Sequence, residues 1–209
     1  SDALIMSASI PRALVYVEGK TDIPVVHAVM RAAGWECEEF IVKSLKGSKK
    51  LEARLREQAR LPSPVPRIFM RDADGDCPVD IRRRLLPKGS ADTVVLRVCD
   101  DEIESWLLAD DVGLSRFFNM PLAKVESPNG VDAKERMLAC VSKYGKKNIK
   151  DFVRKESKSH GGRAFIFGAR YETILTQFIT DEWNIDRAAK RSDSLKRALQ
   201  RLGELHERF

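Results

Sequence analysis

Ala13-Leu-Val-Tyr-Val-Glu-Gly-Lys-Thr-Asp22 is the stretch on which the fold turns. Its first five residues are apolar and rich in β-branched and aromatic side chains, the composition of a buried strand. Glu18-Gly19 ends the run, Thr21 stands where a helix N-cap is expected, and Pro24 falls in the first turn that follows. Val25, Val26, Val29 and Met30 then recur at helical spacing, with Gly34 as a stop. A buried strand running directly into an amphipathic helix is the first part of a β-α-β unit.

The same alternation continues outward. Phe40-Ile-Val42 predicts a second strand, and Lys49 to Arg60 a charged amphipathic helix. Pro62, Pro64 and Pro66 form a stiff linker into a third strand, Arg67-Ile-Phe-Met70, which leads into Arg71-Asp-Ala-Asp-Gly-Asp76. A short helix over Ile81 to Leu86 precedes a fourth strand, Thr93 to Val98. Asp100-Asp-Glu-Ile-Glu-Ser-Trp106 opens a helix that ends near Asp110. Strands alternating with helices predict an α/β fold with a mainly parallel sheet flanked by helices. Beyond residue 110 the pattern is helical, clearest over Arg170 to Ile179 and Asp193 to Leu205, and Ala164 to Phe167 is the one strand expected. The expected division is an α/β core over residues 1–110 and a helical, partly basic extension over 111–209 packed on it, with one compact domain as the alternative.

The 209 residues suffice for a real core without cross-links. Four widely separated cysteines exclude zinc-ligand spacing and a disulfide framework, and imply reduced thiols in a cytoplasmic protein. No run approaches the ~18 apolar residues of a membrane helix, so no membrane partner is expected. Ser1 to Ile10 lacks the basic start of a secretory leader. A net charge of +6 favours a polyanionic partner, DNA or RNA. The charge concentrates between Ser142 and Arg170, where only Asp151 and Glu156 oppose a series of lysines and arginines. Lys146, Lys147, Lys150, Arg154, Lys158 and Arg163 are the candidate nucleic-acid contacts; a solvated basic face is the plainer reading.

Ligands of open parallel sheets gather beyond the carboxyl ends of the strands. Acidic residues stand at three such ends: Glu18, then Asp72, Asp74 and Asp76, then the cluster Asp100 to Glu104. Asp22 lies one helical turn beyond Glu18. Carboxylates brought together repel one another unless a cation neutralises them, and hard oxygen donors suit Mg²⁺. Glu18, Asp72 and Asp74 are the central candidates, Asp22, Glu102 and Glu104 the further metal ligands, and Asp76 a reserve. Singly, each motif has an ordinary reading, as an Asx-type turn or an acidic helix start. Their order along the chain is what points to a metal centre.

That order resembles the Toprim domain of topoisomerases, primases and overcoming-lysogenization-defect (OLD) nucleases. In that family a glutamate-glycine follows the first strand and an aspartate-x-aspartate a later one. Val17-Glu18-Gly19-Lys20-Thr21-Asp22 resembles the first element in its nuclease version, with a second acid four residues on, and Asp72-Ala73-Asp74 the second. Glu102 or Glu104 matches the further glutamate of OLD-type nucleases. Most of the chain is also similar to a bacterial Toprim-like family of unknown function, through Glu104-Ser-Trp-Leu-Leu-Ala-Asp110 and Trp183-Asn-Ile-Asp-Arg-Ala188. The resemblance implies a Toprim-like, Rossmann-like fold and a Mg²⁺- or Mn²⁺-dependent nuclease or phosphotransferase. In it Asp72 and Asp74 hold a metal, Asp22 and Glu104 complete a second position, and Glu18 is a ligand or general base.

The basic residue near the metals is open among Lys20, Arg71, Arg97 and Arg163, and Ser159-His-Gly-Gly-Arg163 reads as a connecting loop or a flap over the site. No topoisomerase-like tyrosine setting is present, which argues against strand passage. No Gly-x-x-x-x-Gly-Lys loop occurs, so an ATPase partner would be a separate chain. Two other readings compete. One is a non-catalytic metal- or nucleic-acid-binding module acting with a partner protein. The other is a haloacid-dehalogenase-like phosphatase, whose aspartate pair sits on its first strand and whose glycine is usually followed by Thr or Val, where here Asp76 follows Gly75 on the third. An EF-hand loop is excluded because Cys77 and Arg83 occupy its glycine and glutamate positions.

Overall fold

Alternate residues of a strand face opposite ways, and here each face meets its own core. The computed structural model describes residues 10–147, 149–157 and 163–209. In β1 (Ala13–Val17), Ala13, Val15 and Val17 pack with Val25, Val26, Val29 and Met30 of α1 (Asp22–Ala32). Tyr16 faces the other way and stacks on Phe69 of β3 (Arg67–Asp72), against Leu51 and Leu55 of α2 (Ser48–Gln58). Burial on both faces is why these strands read as unbroken apolar runs rather than alternating ones.

With β2 (Phe40–Ser44) and β4 (Val94–Cys99), the strands form a parallel sheet in the order β2-β1-β3-β4. The chain leaves β1 for β2 on one side, then returns to β3 on the other side of β1. Order therefore switches between β1 and β3, and a crevice opens there at the carboxyl ends. Tyr16 pairs with Phe69 and Asp72 with Cys99, so β3 and β4 end together, two residues beyond the end of β1, and the residues after β1 lie beside the last residues of β3. The α/β fold with helix-flanked parallel strands is thus as the sequence predicts. The short helix after β3, α3 (Pro78–Leu85), starts earlier than expected because Pro78 fits the first helical turn.

After β4 come α4 (Glu104–Leu108), α5 (Asp111–Phe117), α6 (Ala133–Tyr144) and α7 (Ile149–Phe152). A hairpin of β5 (Val153–Ser157) and β6 (Arg163–Phe167) follows, then α8 (Tyr171–Asp181), α9 (Ile185–Arg191) and α10 (Asp193–Arg208). β6 matches the one late strand expected; β5 was not foreseen. Its exposed Arg154 and Lys155 give no apolar run, and its strand character comes from antiparallel pairing with β6. The late helices share the larger apolar core with the sheet: Phe118, Met137, Phe178 and Leu202 join Val15 and Met30. Trp35 Nε1 donates to the carbonyl of Leu202 at 3.0 Å, tying the end of the first β-α unit to α10. Among the described residues no helix is long and apolar enough to cross a membrane.

The segment Glu104 to Asp110 has a contact for several of its residues. Ser105 Oγ donates to the Asp100 carbonyl at 3.1 Å, and Trp106 Nε1 to Ser194 Oγ at 3.3 Å. Asp110 is fully buried, accepts the N–H groups of Gly113 and Asn184, and forms a two-pronged pair with Arg187 at 2.7 and 2.9 Å. Removing one member of a buried charged pair costs about 3–5 kcal/mol. Asp110→Ala is therefore expected to lower the urea-unfolding free energy by about 3 kcal/mol, toward the lower end because Arg187 retains some solvent. A loss below about 1 kcal/mol would show that Asp110 does not anchor the C-terminal helices.

Candidate metal centre

The crevice at the switch point gathers the carboxylates. Glu18 follows β1, and its Oε1 accepts the N–H of Asp72 at 3.0 Å, bridging from β1 to β3. Asp22 opens α1 and folds back, Oδ2 accepting the Gly19 N–H at 2.7 Å, so Glu18-Gly-Lys-Thr-Asp22 is one compact turn. Asp72 Oδ1 accepts the N–H of Ile103 at 3.1 Å, linking β3 to the loop after β4. Asp74 takes a left-handed backbone (φ 51°) followed by Gly75 (φ 81°), and this sharp turn leaves its side chain 53% exposed at the mouth.

Glu18, Asp22, Asp72, Asp74 and Glu102 line one open depression of about 660 Å³, with Lys20, Ser44 and Lys46 among its other walls. Glu104 lies behind it, 1% exposed, and Asp76 does not line it but faces a neighbouring cleft. Lys146, Lys147, Lys150 and Arg154 are exposed but are not part of this wall. Lys158, the side chain of Arg163 and the Ser159–Gly162 loop with His160 lie outside the described residues.

Two cations divide the negative charge. Arg71 reaches Glu18 at 3.4 Å, Asp74 at 3.1 Å and, from the opposite side, Glu52 at 3.2 Å. Lys134, from the first turn of α6, places Nζ 3.1 Å from Glu104 Oε1 and 3.8 Å from Glu102 Oε1, while its backbone N–H donates to Glu102 Oε2 at 2.8 Å. Tyr171 of α8 donates its hydroxyl to Glu104 Oε1 at 3.3 Å. Lys134 and Tyr171 are the site residues that the sequence reading missed. Neither sits in a recognisable motif, and a lysine in a first helical turn looks like a surface residue. Of the basic candidates, Lys20 lies on the rim, Arg71 is committed to three carboxylates, and Arg97 stands in a different cleft. His27 packs on Phe40 with ring centroids 5.0 Å apart and does not line the depression.

The electrostatics favour an added cation. Burial, reinforced by the charges of Asp22, Glu104 and Glu18, pushes Asp72 well above the usual carboxylate range. Burial also raises Glu18, against the pull of the Asp72 N–H and Arg71, and raises Asp22, Glu102 and Glu104. Burial works against the Lys134 ammonium, yet Glu104 and Glu102 hold it charged, above the usual lysine range. Glu104 Oε2 is buried with no hydrogen-bond partner. Among the described residues no three acidic, histidine or cysteine side chains stand in a metal-holding arrangement as they are. The donor set is nevertheless all hard oxygen, in carboxylate excess, with one oxygen left unsatisfied, and that chemistry fits a divalent cation.

The fold is Toprim-like. It is similar to the solved C-terminal region of the Burkholderia pseudomallei OLD protein, with a TM-score of 0.55 over 94% of this chain and 98% of that one, at 13% identity. The C-terminal region of the Xanthomonas campestris pv. campestris OLD protein aligns at a TM-score of 0.49 and 10% identity, covering 93% of each chain. No protein-family model and no curated protein matches the sequence.

Asp72 has its pKa raised on folding, so ionising it costs folding energy at pH values above that raised pKa and nothing well below the unfolded value. Asp72→Asn keeps the acceptor for Ile103 and removes the charge. In EDTA at pH 7–8 this variant is expected to melt about 2–4 °C above the parent, the shift produced by about 1 kcal/mol in a chain of this size. The gain should disappear as the pH falls and the parent's Asp72 takes up its proton. A lower melting temperature at pH 8 would mean the carboxylate is held by compensation rather than under repulsion.

Proposed function

We propose that the chain is a nuclease-type Toprim domain that hydrolyses phosphodiester bonds of DNA or RNA with Mg²⁺ or Mn²⁺. The observation that carries this reading is the convergence of Glu18, Asp22, Asp72, Asp74 and Glu102 on one open depression at the sheet's switch point, with Lys134 beside them. The similarity to an OLD protein region supports it at the level of fold. Asp72 and Asp74 would hold one ion, with Glu18 as a further ligand or as the general base, and Asp22, Glu102 and Glu104 a second. A bound divalent ion would polarise the phosphodiester and make its water a nucleophile near neutral pH.

The protein's own groups supply the rest. Burial raises the pKa of Glu18, which suits a proton acceptor at Oε2, since Oε1 is engaged by Asp72 and Arg71. Lys134 Nζ is a fixed cation for the charge that develops on a non-bridging phosphate oxygen. Glu104 and Tyr171 position it through the 3.1 and 3.3 Å contacts at Glu104 Oε1. Lys20 and Lys46 on the wall can meet flanking phosphates without reading sequence. The exposed Lys146, Lys147, Lys150 and Arg154 would extend that contact, and an ATPase chain is a candidate partner.

Plasmid, single-stranded DNA and RNA incubated with Mn²⁺ or Mg²⁺ should be cut by the parent protein. Glu18→Gln and Asp72→Asn should each lower the rate by on the order of 10²–10⁴-fold. Lys134→Met should lower turnover by roughly 10²–10³-fold while Lys134→Arg retains part of it. Metal-dependent cleavage that survives both Glu18→Gln and Asp72→Asn would overturn the assignment. Binding without cleavage by the parent would instead favour the non-catalytic module.

A further inference from the structure

One edge of the sheet carries a second cleft, in which arginines gather. β4 is the edge strand, and a cleft of about 380 Å³ beside it is lined by Arg82 of α3, Arg97 of β4 and Arg197 of α10. These arginines come from three elements. Ser194, Arg197 and Arg201 share one face of α10 by their spacing, while Leu195, Ala198 and Leu202, each one position further on, fill the adjoining buried one. Arg97 is half-buried between them, and its Nε is sealed from solvent with no acceptor.

The cluster is undercompensated. Arg197 has Asp100 at 3.6 Å and Arg201 has Glu204 at 2.8 Å. Among the described residues, neither Arg82 nor Arg97 has a carboxylate within ion-pair distance. Burial, with Arg82, Arg197 and Arg201 nearby, pushes the Arg97 guanidinium below its usual range, the sign of a cation among cations. Like charges held together are costly in a free protein and become favourable when an anion joins them. Guanidinium groups match phosphate oxygens in geometry as well as charge. Inward-pointing charges also guard sheet edges against self-pairing. That role requires one charge, not three converging from separate elements.

The cleft also leads somewhere. Through Pro78, Asp100, Ser194 and Arg197 it is continuous with a cleft of about 590 Å³ that reaches Gly75, Asp76 and Asp101, on the loops that carry the acidic centre. That middle stretch carries both signs of charge, so attraction for an anion is concentrated at the arginine end.

We propose that Arg82, Arg97 and Arg197 form a phosphate-binding subsite that takes a backbone phosphate of a nucleic-acid strand whose reacting bond lies at the acidic centre. The proposal rests on the nucleic-acid reading above only for the source of the phosphate. The subsite holds the strand along the β4 edge.

The test is equilibrium binding in EDTA of a fluorescein-labelled single-stranded oligonucleotide and, separately, of inorganic pyrophosphate. The parent is compared with Arg97→Gln/Arg197→Gln, with Arg82→Gln, and with Arg83→Gln, an exposed residue paired with Asp80. Arg82 is exposed, so its replacement leaves the fold intact even if the double variant is destabilised. Oligonucleotide affinity should fall about tenfold in the double variant and severalfold in Arg82→Gln. The slope of log K against log salt should shrink by about 0.7 for each phosphate that is no longer neutralised. Arg83→Gln should match the parent. If the parent fails to bind oligonucleotide but binds pyrophosphate in an Arg82- and Arg97-dependent way, the subsite stands with a small-molecule source and the nuclease reading falls. If neither ligand responds to Arg82→Gln or to the double variant, the subsite is overturned, whatever cleavage shows.

Discussion

The hydrogen bond from the Asp72 N–H to Glu18 Oε1 is the constraint on which the site depends. It spans the point where strand order reverses, between the ends of β1 and β3. A carboxylate there has few other tasks: the strands beneath it are already paired, and the apolar side chains have turned into the two cores. Holding Glu18 at this spot brings its charge toward Asp72 and Asp22, and each raises the cost of ionising its neighbours. The fold accepts that cost because the cores on both sides of the sheet stabilise the strands independently of the site.

The protein's own cations limit the repulsion without cancelling it. Arg71 is shared between Glu18 and Asp74 above and Glu52 behind, so it fixes the β3 end and has little freedom to leave. Lys134 is different. It has a flexible stem and only Glu104 at close range, with Glu102 farther off. Arg71 is therefore suited to hold the end of β3, while Lys134 is held from the back of the crevice by its contact with the buried Glu104.

Much of this could be read in the sequence because strand ends in a parallel sheet are punctuated sharply. Val17 to Glu18, Met70 to Asp72 and Cys99 to Asp100 each pass from buried apolar residues to acids within two positions. The acids that line the depression were visible for that reason. Lys134 was not, since it meets Glu102 from 32 residues away and only tertiary packing brings α6 there. β5 escaped because its pairing partner lies across a connection and its own residues are charged. The Arg82, Arg97 and Arg197 cluster was hidden for the same reason: the sequence offered Arg97 only as a basic residue near the metals, and Arg82 and Arg197 stand on two other elements.

Those contacts also bear on where the functional unit ends. Glu104 is buried at the back of the acidic crevice, and its two polar partners are Lys134 of α6 and Tyr171 of α8. Without them this buried carboxylate, one of whose oxygens is already orphaned, would lose its ion pair and its hydroxyl donor, a penalty of several kcal/mol. The helices after residue 110 also contribute Phe118, Met137, Phe178 and Leu202 to the core that supports β1. The α/β part alone contains the acidic motifs but not the groups that make their burial tolerable. The sheet places the carboxylates, and the helical part sets their charge balance, so the chemistry of the centre belongs to both.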